Sequence, residues 1–332
     1  MTERAAPVAG EAVDRSALRQ GVSLLSEQLA NGIAEYLRRM TDYGRRTSMT
    51  TPANLTTYAQ GLTWGEGPRR HDGALWVSDT QGSRLWTDAS GTWTAHDLAT
   101  PCNGLWFLPD GSLVAAMMVL PQVGTWNGTE FDSYADLTAL QPGPLGDMVG
   151  DSAGSLYIDD VGYAAHKGES PRPGRLLRVS ADRTAVVVAE NLEFPNGLAL
   201  IDNETTLVVV ESTAQRLTAF DVNDAGVLSG RRVYADIAAL VGPDARPDGI
   251  WPVEDGIWVA TLSGHAVVKV RDGELLASID TGNRYPIACC VEGQRLYVTA
   301  ADSRGAPLME ALAAKALDTA VLVTDLRPDG EY

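Results

Sequence analysis

From about residue 55 onward, hydrophobic residues occur in short runs that are separated by polar turns. Typical runs are Ala-Leu-Trp-Val at residues 74–77, Leu-Val-Val-Val at 207–210 and Ile-Trp-Val-Ala at 257–260. The stretches between such runs contain Asp-Gly, Asn-Gly and other glycine-rich turns. Short apolar runs with this punctuation are typical of β-strands joined by tight turns, so the pattern predicts an all-β domain.

The runs also repeat along the chain. Each repeat is marked by a residue that precedes an apolar run, in most cases an acid or an asparagine, and these markers are Glu66, Asn103, Asp147, Asn196, Asp248 and Ala288. The steps between successive markers are 37, 44, 49, 52 and 40 residues. Because a step of this length accommodates one four-stranded blade, six units predict a six-bladed β-propeller over residues 55–332.

A propeller must close into a ring, and both ends of this region contain strand-like segments. We expect residues 56–59 and 319–323 to share the sixth blade. The Ala- and Leu-rich residues 308–317 predict a short helical insertion ahead of the last strand. Residues 162–175 predict a loop of the third blade that reaches the mouth of the central channel.

A different pattern occupies residues 1–54. Apolar residues recur there at steps of three and four, at Leu18, Val22, Leu25, Leu29, Ile33, Tyr36 and Met40. This period predicts an amphipathic helix over about residues 13–43, followed by a polar linker over residues 45–54. The sequence thus predicts an N-terminal helical extension, which packs across the propeller or joins two copies in a homo-oligomer.

Composition limits the partners and the compartment. The net charge of −17 argues against nucleic acid and anionic membrane surfaces as partners. Three cysteines, two of them adjacent, do not form a disulfide framework, which favours a reducing compartment. The chain contains no apolar run of membrane-spanning length, and its first ten residues lack the apolar core of a secretory signal. We therefore expect a cytoplasmic protein that acts on a small molecule.

Two Pro-Asx-Gly motifs, at residues 195–197 and 247–249, indicate where the chemistry lies. In a propeller the innermost strands line the channel, so residues at matched positions of the repeat converge. We expect the oxygens of Glu66, Asn196 and Asp248 to hold one divalent metal on the axis. Carboxylate and amide oxygens suit Ca²⁺ best. Zn²⁺, Mn²⁺ and Mg²⁺ remain alternatives, although no cluster of His and Cys favours Zn²⁺.

Four further residues are candidates for contact with substrate. Asn103 and Asp147 share the repeat position and could orient substrate or water. Met148 follows Asp147 directly, and His166 lies in the loop predicted over the channel mouth.

Several motifs together resemble the senescence marker protein/gluconolactonase/luciferin-regenerating enzyme family. They are Glu-Gly-Pro at 66–68, Leu-Trp-Val-Ser-Asp at 75–79, Pro-Asn-Gly-Leu at 195–198, Pro-Asp-Gly at 247–249, Ala-Cys-Cys at 288–290 and Leu-Tyr-Val-Thr at 296–299. The resemblance covers residues 62–330 approximately. It implies a six-bladed propeller with one axial divalent metal, ligated by Glu66, Asn196 and Asp248. It also implies that Asp248 is the catalytic base.

One stretch departs from the family pattern. In the family that this sequence resembles, members that act on sugar lactones have an Arg-x-Asn-Asp-Gly motif in the third blade. The Arg and Asn of that motif hold substrate hydroxyls. Residues 144–148 read Pro-Leu-Gly-Asp-Met instead, so only Asp147 matches. This departure argues against an aldonolactone as the substrate.

The expected activity is metal-dependent hydrolysis of a lactone or a related ester. In this reaction the metal polarises the carbonyl and activates water, and Asp248 takes the proton. Two alternatives stay open at this point. One is a non-hydrolytic metal-dependent propeller enzyme acting on a more apolar small molecule, and the other is a non-catalytic calcium-binding or interaction propeller.

Overall fold

A computed structural model describes residues 55–164 and 168–326 of the chain. By its internal contacts the chain divides into two units, Met1–Met49 and Thr50–Tyr332. The first unit lies outside the described residues. The helix predicted over residues 13–43 and the linker predicted over residues 45–54 therefore remain predictions.

Twenty-four strands form six antiparallel sheets of four strands each in the described residues. Strand β1 (Thr56–Leu62) comes first in the chain and belongs to the last sheet. The strands of blade 1 are β2 (Gly65–His71), β3 (Ala74–Asp79), β4 (Arg84–Thr87) and β5 (Thr94–Asp97). The strands of blade 2 are β6 (Cys102–Phe107), β7 (Leu113–Met117), β8 (Gln122–Trp126) and β9 (Phe131–Asp136). The strands of blade 3 are β10 (Leu145–Gly150), β11 (Leu156–Asp160), β12 (Gly174–Val179) and β13 (Ala185–Leu192).

The second half of the ring repeats this arrangement. The strands of blade 4 are β14 (Pro195–Ile201), β15 (Thr206–Glu211), β16 (Arg216–Val222) and β17 (Leu228–Asp236). The strands of blade 5 are β18 (Pro247–Val253), β19 (Gly256–Thr261), β20 (Ala266–Arg271) and β21 (Glu274–Asp280). The strands of blade 6 are β22 (Tyr285–Glu292), β23 (Arg295–Asp302), β24 (Asp318–Asp325) and β1. The six-bladed propeller predicted from the repeats is therefore confirmed.

The two ends of the propeller region close the ring together. Strand β1 pairs antiparallel with β24, so the sixth blade combines the first strand with the last three. This pairing confirms the predicted closure. The helical insertion ahead of the last strand is also confirmed, as the α-helix Leu308–Ala313.

The remaining helical segments in the described residues are short. They are the α-helix Ile237–Leu240 and the 3₁₀ turns Thr138–Leu140 and Leu262–Gly264. None of the helices within this part of the chain is long and apolar enough to cross a membrane.

The innermost strands pack against one another around the ring, in the order β2, β6, β10, β14, β18 and β22. Each contains a β-bulge near its start, where the pairing with the next strand shifts. In blade 5, for example, Pro247 pairs with Thr261, whereas Ile250 pairs with Val259. A bulge leaves residues unpaired and re-aims their side chains. The six bulges therefore direct the residues between the paired positions away from the sheets.

The position of each marker residue can be compared between blades by counting from the β-bulge of its strand. Directly after the last regular pair stand Asn103, Gly146, Asn196 and Asp248, in blades 2 to 5 respectively. In blade 1 the last regular pair is Glu66 with Ser78, so Glu66 stands one position earlier. In blade 3 Asp147 stands one position later than Gly146. The sequence markers therefore coincide in blades 2, 4 and 5 but differ by one residue in blades 1 and 3.

Close contact between the inner strands requires glycine at two of these bulges. A Cβ on Gly104 would stand 2.5 Å from the amide nitrogen of Met148, and one on Gly249 would stand 2.5 Å from the Cβ of Ala288. Real Cβ contacts are longer than this, so a side chain at either position would push two blades apart. The core itself lies between the blades, where aliphatic side chains of adjacent sheets pack in continuous clusters.

Candidate metal and active site

Glu66, Asn196 and Asp248 come together at the bulge end of the channel, called the hub below. The side-chain amide of Asn196 donates a hydrogen bond to Oδ1 of Asp248 at 2.5 Å. The negative charge of Asp248 is also the strongest charge acting on the Glu66 carboxyl. Glu66 is 8 % exposed and Asp248 is 6 % exposed, whereas Asn196 is half-buried. The structure therefore brings the three predicted metal ligands to one place.

Burial dominates the electrostatics of the hub. It raises the pKa of Asp248 to about 7, against the hydrogen bond from Asn196, and the charge of Asp147 adds to the rise. Burial also raises the pKa of Glu66 well above its ordinary value, and the charge of Asp248 raises it further. The indole Nε1–H of Trp64 donates to Oε1 of Glu66 at 2.8 Å and opposes part of this shift. Two buried carboxyls that disfavour each other's ionised form are a ready site for a cation.

The donor set fits a hard divalent cation. Glu66 and Asp248 offer two carboxylates that balance a double charge, and Asn196 keeps its amide oxygen as a neutral donor because its amide nitrogen faces Asp248. In the described parts of the chain no group of three or more His, Cys, Asp and Glu side chains is arranged to hold a metal. The hub set contains only two residues of those types, so an oxygen-only site that includes an amide agrees with this finding.

The candidates for contact with substrate differ in how deeply they are buried. Asn103 is half-buried in the second inner strand, β6. Its backbone carbonyl oxygen accepts a hydrogen bond from Ser78 Oγ at 2.6 Å. Asp147 is buried, and Met148 is fully buried in an apolar cluster between blades 2 and 3. His166 lies outside the described residues. Among the three described candidates Asn103 is the one that is not buried, and Ser78 Oγ links its backbone to that of Glu66 by also donating to the Glu66 carbonyl at 3.1 Å.

Sequence reasoning missed Arg69, which lies on β2 three residues after Glu66. Its guanidinium Nη2 donates to Oδ1 of Asp147 at 3.1 Å and to the carbonyl of Met148 at 2.9 Å. The guanidinium carbon lies 5.4 Å from the ring centroid of Trp106 and 5.3 Å from that of Trp251. Arg69 is only 4 % exposed, so it is a buried cation that links blade 1 to blades 2, 3 and 5.

The sequence does contain a signal for Arg69. Two arginines follow Glu-Gly-Pro, and the propeller predicted from the sequence places this stretch in the wall of the channel. A charged side chain in an inner strand needs a partner of opposite charge. The partner is 78 residues away, so spacing alone does not identify it.

Asp159 was missed as well. This fully buried residue of β11 accepts a hydrogen bond at Oδ2 from the backbone N–H of Asp147. Its Oδ1 has no hydrogen-bond partner among the described residues. Burial raises the pKa of Asp159 well above its ordinary value, and the charges of Asp147, Asp160 and Asp248 raise it further. The sequence signal is the pair Asp159-Asp160 at the end of the apolar run Leu-Tyr-Ile.

The family model described as the SMP-30/Gluconolactonase/LRE-like region matches residues 64–302. The chain belongs to this family. The match contains every described residue of the hub, from Glu66 to Asp248, so the resemblance seen in the motifs is confirmed.

Curated relatives match this chain at low to moderate identity. The gluconolactonase of Zymomonas mobilis is 24 % identical over 288 residues, which cover 76 % of this chain and 80 % of that protein. The adipocyte plasma membrane-associated protein Hemomucin of Drosophila melanogaster is 34 % identical over 111 residues. Those residues cover 33 % of this chain and 17 % of Hemomucin, so this similarity concerns a small part of that protein.

Solved structures support the architecture. A luciferin-regenerating enzyme superposes with a TM-score of 0.70 at 19 % identity and covers 82 % of this chain and 96 % of that one. The calcium-binding protein regucalcin of Agrobacterium tumefaciens superposes with a TM-score of 0.66 at 21 % identity, with the same coverage. A gluconolactonase of Xanthomonas campestris gives 0.64 at 22 % identity and covers 81 % and 90 %. At these identities the likeness shows the propeller fold.

Proposed function

We propose that this protein hydrolyses a lactone or a related ester with one divalent cation held by Glu66, Asn196 and Asp248. Membership of a family that includes gluconolactonases supports the reaction class. The observation that carries the proposal is the convergence of two buried carboxyls and one amide at the hub. Ca²⁺ is the cation favoured by an all-oxygen donor set. A relative of the same fold, the regucalcin of Agrobacterium tumefaciens, is a calcium-binding protein.

The residues of the hub have distinct roles in this proposal. A cation bound there would supply polarisation of the ester carbonyl and would favour ionisation of nearby water. Asp248 accepts a proton: its pKa is about 7 without a cation, and a bound cation would lower that pKa and keep the carboxylate ionised and able to accept. Asn196 fixes Asp248 through Oδ1, which leaves the other carboxylate oxygen for the reaction. Trp64 fixes Glu66 in the same way, through the indole N–H. The accessible amide of Asn103 orients the ester carbonyl or the attacking water.

A substrate panel tests the proposal. Lactones and aryl esters are incubated with the protein and Ca²⁺, Mn²⁺, Zn²⁺ or Mg²⁺. Hydrolysis is measured by the proton that each new carboxylic acid releases. We expect turnover with at least one cation and its loss on chelation. Asp248→Asn should lower kcat about a hundredfold or more, as expected for removal of a general base. Asp182→Asn, in an exposed turn, is the matched control.

The panel also separates the alternatives. Thermal stabilisation by Ca²⁺ without turnover of any ester would overturn the hydrolase and favour a calcium-binding propeller. Full activity of Asp248→Asn would overturn the role of this residue even if the ester is hydrolysed.

A further inference from the structure

The third blade differs from its neighbours at the hub. Asn103, Asn196 and Asp248 stand at the bulge position of blades 2, 4 and 5, where blade 3 has Gly146. The space that a side chain at residue 146 would enter is filled by the carboxylate of Asp159, which would clash with a Cβ there. The inner strand of blade 3 therefore presents no polar side chain at the position at which three other blades do.

The side chains of Arg69 and Asp147, which border this position, are engaged with each other. The carboxylate of Asp147 accepts hydrogen bonds from Arg69 and from the backbone N–H of Met148, and the backbone N–H of Leu198 also stabilises it. The guanidinium of Arg69 is held in addition by the carbonyls of Pro68 and Met148. Because Arg69 and Asp147 neutralise each other while almost fully buried, they are not offered to a ligand. We call Arg69, Gly146, Asp147 and Asp159 the closed wall.

Part of the accessible rim of the hub is apolar. The turn after β7 carries Val119 and Leu120, which are 50 % and 38 % exposed. This turn lies at the start of β6, beside Asn103, because Met118 N–H donates to the carbonyl of Pro101 at 3.2 Å. In blade 4 the half-buried Phe194 directly precedes the Pro-Asn-Gly motif.

Two further apolar elements border the same end of the channel. The ring of Tyr163 lies edge-on to Phe194, with 5.8 Å between the ring centroids. The helix Leu308–Ala313 packs in one cluster with Trp64, the residue that binds Glu66. Hydrocarbon surfaces thus adjoin the hub at blades 2, 3, 4 and 6.

From the closed wall and the apolar rim we propose that the hub takes a lactone whose ring carries hydrocarbon substituents instead of hydroxyl groups. This inference rests on the proposed function and names its substrate class. A polyhydroxylated ring would bring hydroxyl groups against a wall whose polar side chains are buried, and each unpaired hydroxyl group would lose its hydrogen bonds to water. A hydrocarbon substituent loses no such bonds and buries apolar surface against the rim.

Binding of non-hydrolysable lactams tests the inference without relying on turnover. D-gluconolactam and a δ-lactam with a hexyl chain are titrated into the calcium-loaded full-length protein by calorimetry. We expect the hexyl lactam to bind about tenfold or more tightly than gluconolactam. Equal or tighter binding of gluconolactam, or no binding of the hexyl lactam, overturns the inference. Tight binding of the hexyl lactam with no hydrolysis of any lactone contradicts the proposed reaction alone.

An exchange of two residues tests the closed wall itself. The double variant Gly146→Asn/Asp159→Gly places an amide on the inner strand and removes the side chain that fills the space beside it. We expect gluconolactam to gain about tenfold in affinity, while Asp159→Gly alone, which adds no amide, gives no such gain. A well-folded double variant without the gain contradicts the assignment. If circular dichroism shows that the double variant does not fold, the preference of the wild-type protein between the two lactams decides.

Discussion

The side-chain amide of Asn196 donates to the carboxylate of Asp248 across the boundary between blades 4 and 5, although 52 residues separate the two in the chain. The contact forms because β14 and β18 pack side by side at the axis, with their bulges at the same height. It fixes the orientation of both side chains. The amide oxygen of Asn196 and one carboxylate oxygen of Asp248 are thereby free for a cation or a substrate.

Removal of one hub carboxylate should weaken cation binding. Glu66→Gln keeps the shape of the side chain and the acceptor for Trp64 but deletes one negative charge. Since a unit charge at about 4 Å contributes several kcal/mol even at an effective dielectric constant of about 20, we expect Ca²⁺ affinity to fall about a hundredfold or more. Calorimetry measures this. The exposed Asp182→Asn is the control, and unchanged affinity of Glu66→Gln would show that the cation does not bind at the hub.

The stability of the cation-free protein should fall as the pH rises. Burial raises the pKa of Asp248 from its ordinary value of 3.8 to about 7 in the folded protein. Between these values the unfolded chain has lost the proton while the folded chain keeps it, so the free energy of unfolding decreases with pH. Urea unfolding in chelator at intervals between pH 4.5 and pH 7.5 measures this decrease.

Asp248→Asn provides the control for this pH dependence. The variant lacks the titrating group, so its stability should vary less over the same pH interval. An equal slope in the variant and the wild-type protein would exclude Asp248 as the source.

The buried pair of Arg69 and Asp147 predicts strong coupling between two substitutions. Arg69→Met leaves a buried carboxylate without its cation, which should destabilise the fold by about 3 to 5 kcal/mol. The double variant Arg69→Met/Asp147→Asn should be less destabilised than the sum of the two single variants, because no isolated charge remains. Urea unfolding of the four proteins measures the coupling.

An exposed ion pair serves as the comparison for this cycle. Arg84 contacts Asp97 at 2.9 Å on the surface of blade 1. Arg84→Met should cost less than about 1 kcal/mol. Additive effects at Arg69 and Asp147 would mean that the pair does not act as a unit.

The tight approach of the inner strands predicts that Gly104 cannot carry a side chain. A Cβ there would stand 2.5 Å from the amide nitrogen of Met148 and 2.6 Å from the Cα of Asp147, and both are backbone atoms. Overpacking of this kind costs about 1 to 3 kcal/mol or more, so Gly104→Ala should lower the free energy of unfolding by at least about 2 kcal/mol.

Gly91→Ala is the matched substitution in open space. No atom lies within 4 Å of its Cβ position, and only its φ of 84° opposes alanine. The cost there should be about 1 kcal/mol, from backbone strain alone. A Gly104→Ala variant as stable as Gly91→Ala would show that blades 2 and 3 can separate without penalty.

The architecture was predictable from the sequence because it depends on local signals. Turn chemistry and the length of the repeat gave six blades, and the strand-like runs near residues 56 and 319 gave the closure of the ring. The Pro-Asx-Gly motifs also pointed to Asn196 and Asp248, because both blades use the same bulge. The N-terminal helix, homo-oligomer and cytoplasmic location stay predictions.

By itself, the sequence determined the number of blades, the closure of the ring and three oxygen-bearing side chains of the hub. Only the tertiary structure decided that Glu66 and Asp147 stand one residue away from the common bulge position, that Arg69 neutralises Asp147, and that Asp159 fills the space over Gly146. The physical reason is that a bulge re-aims side chains according to its pairing partner. In addition, a buried charge acts on whichever group lies within a few ångströms, however distant that group is along the chain.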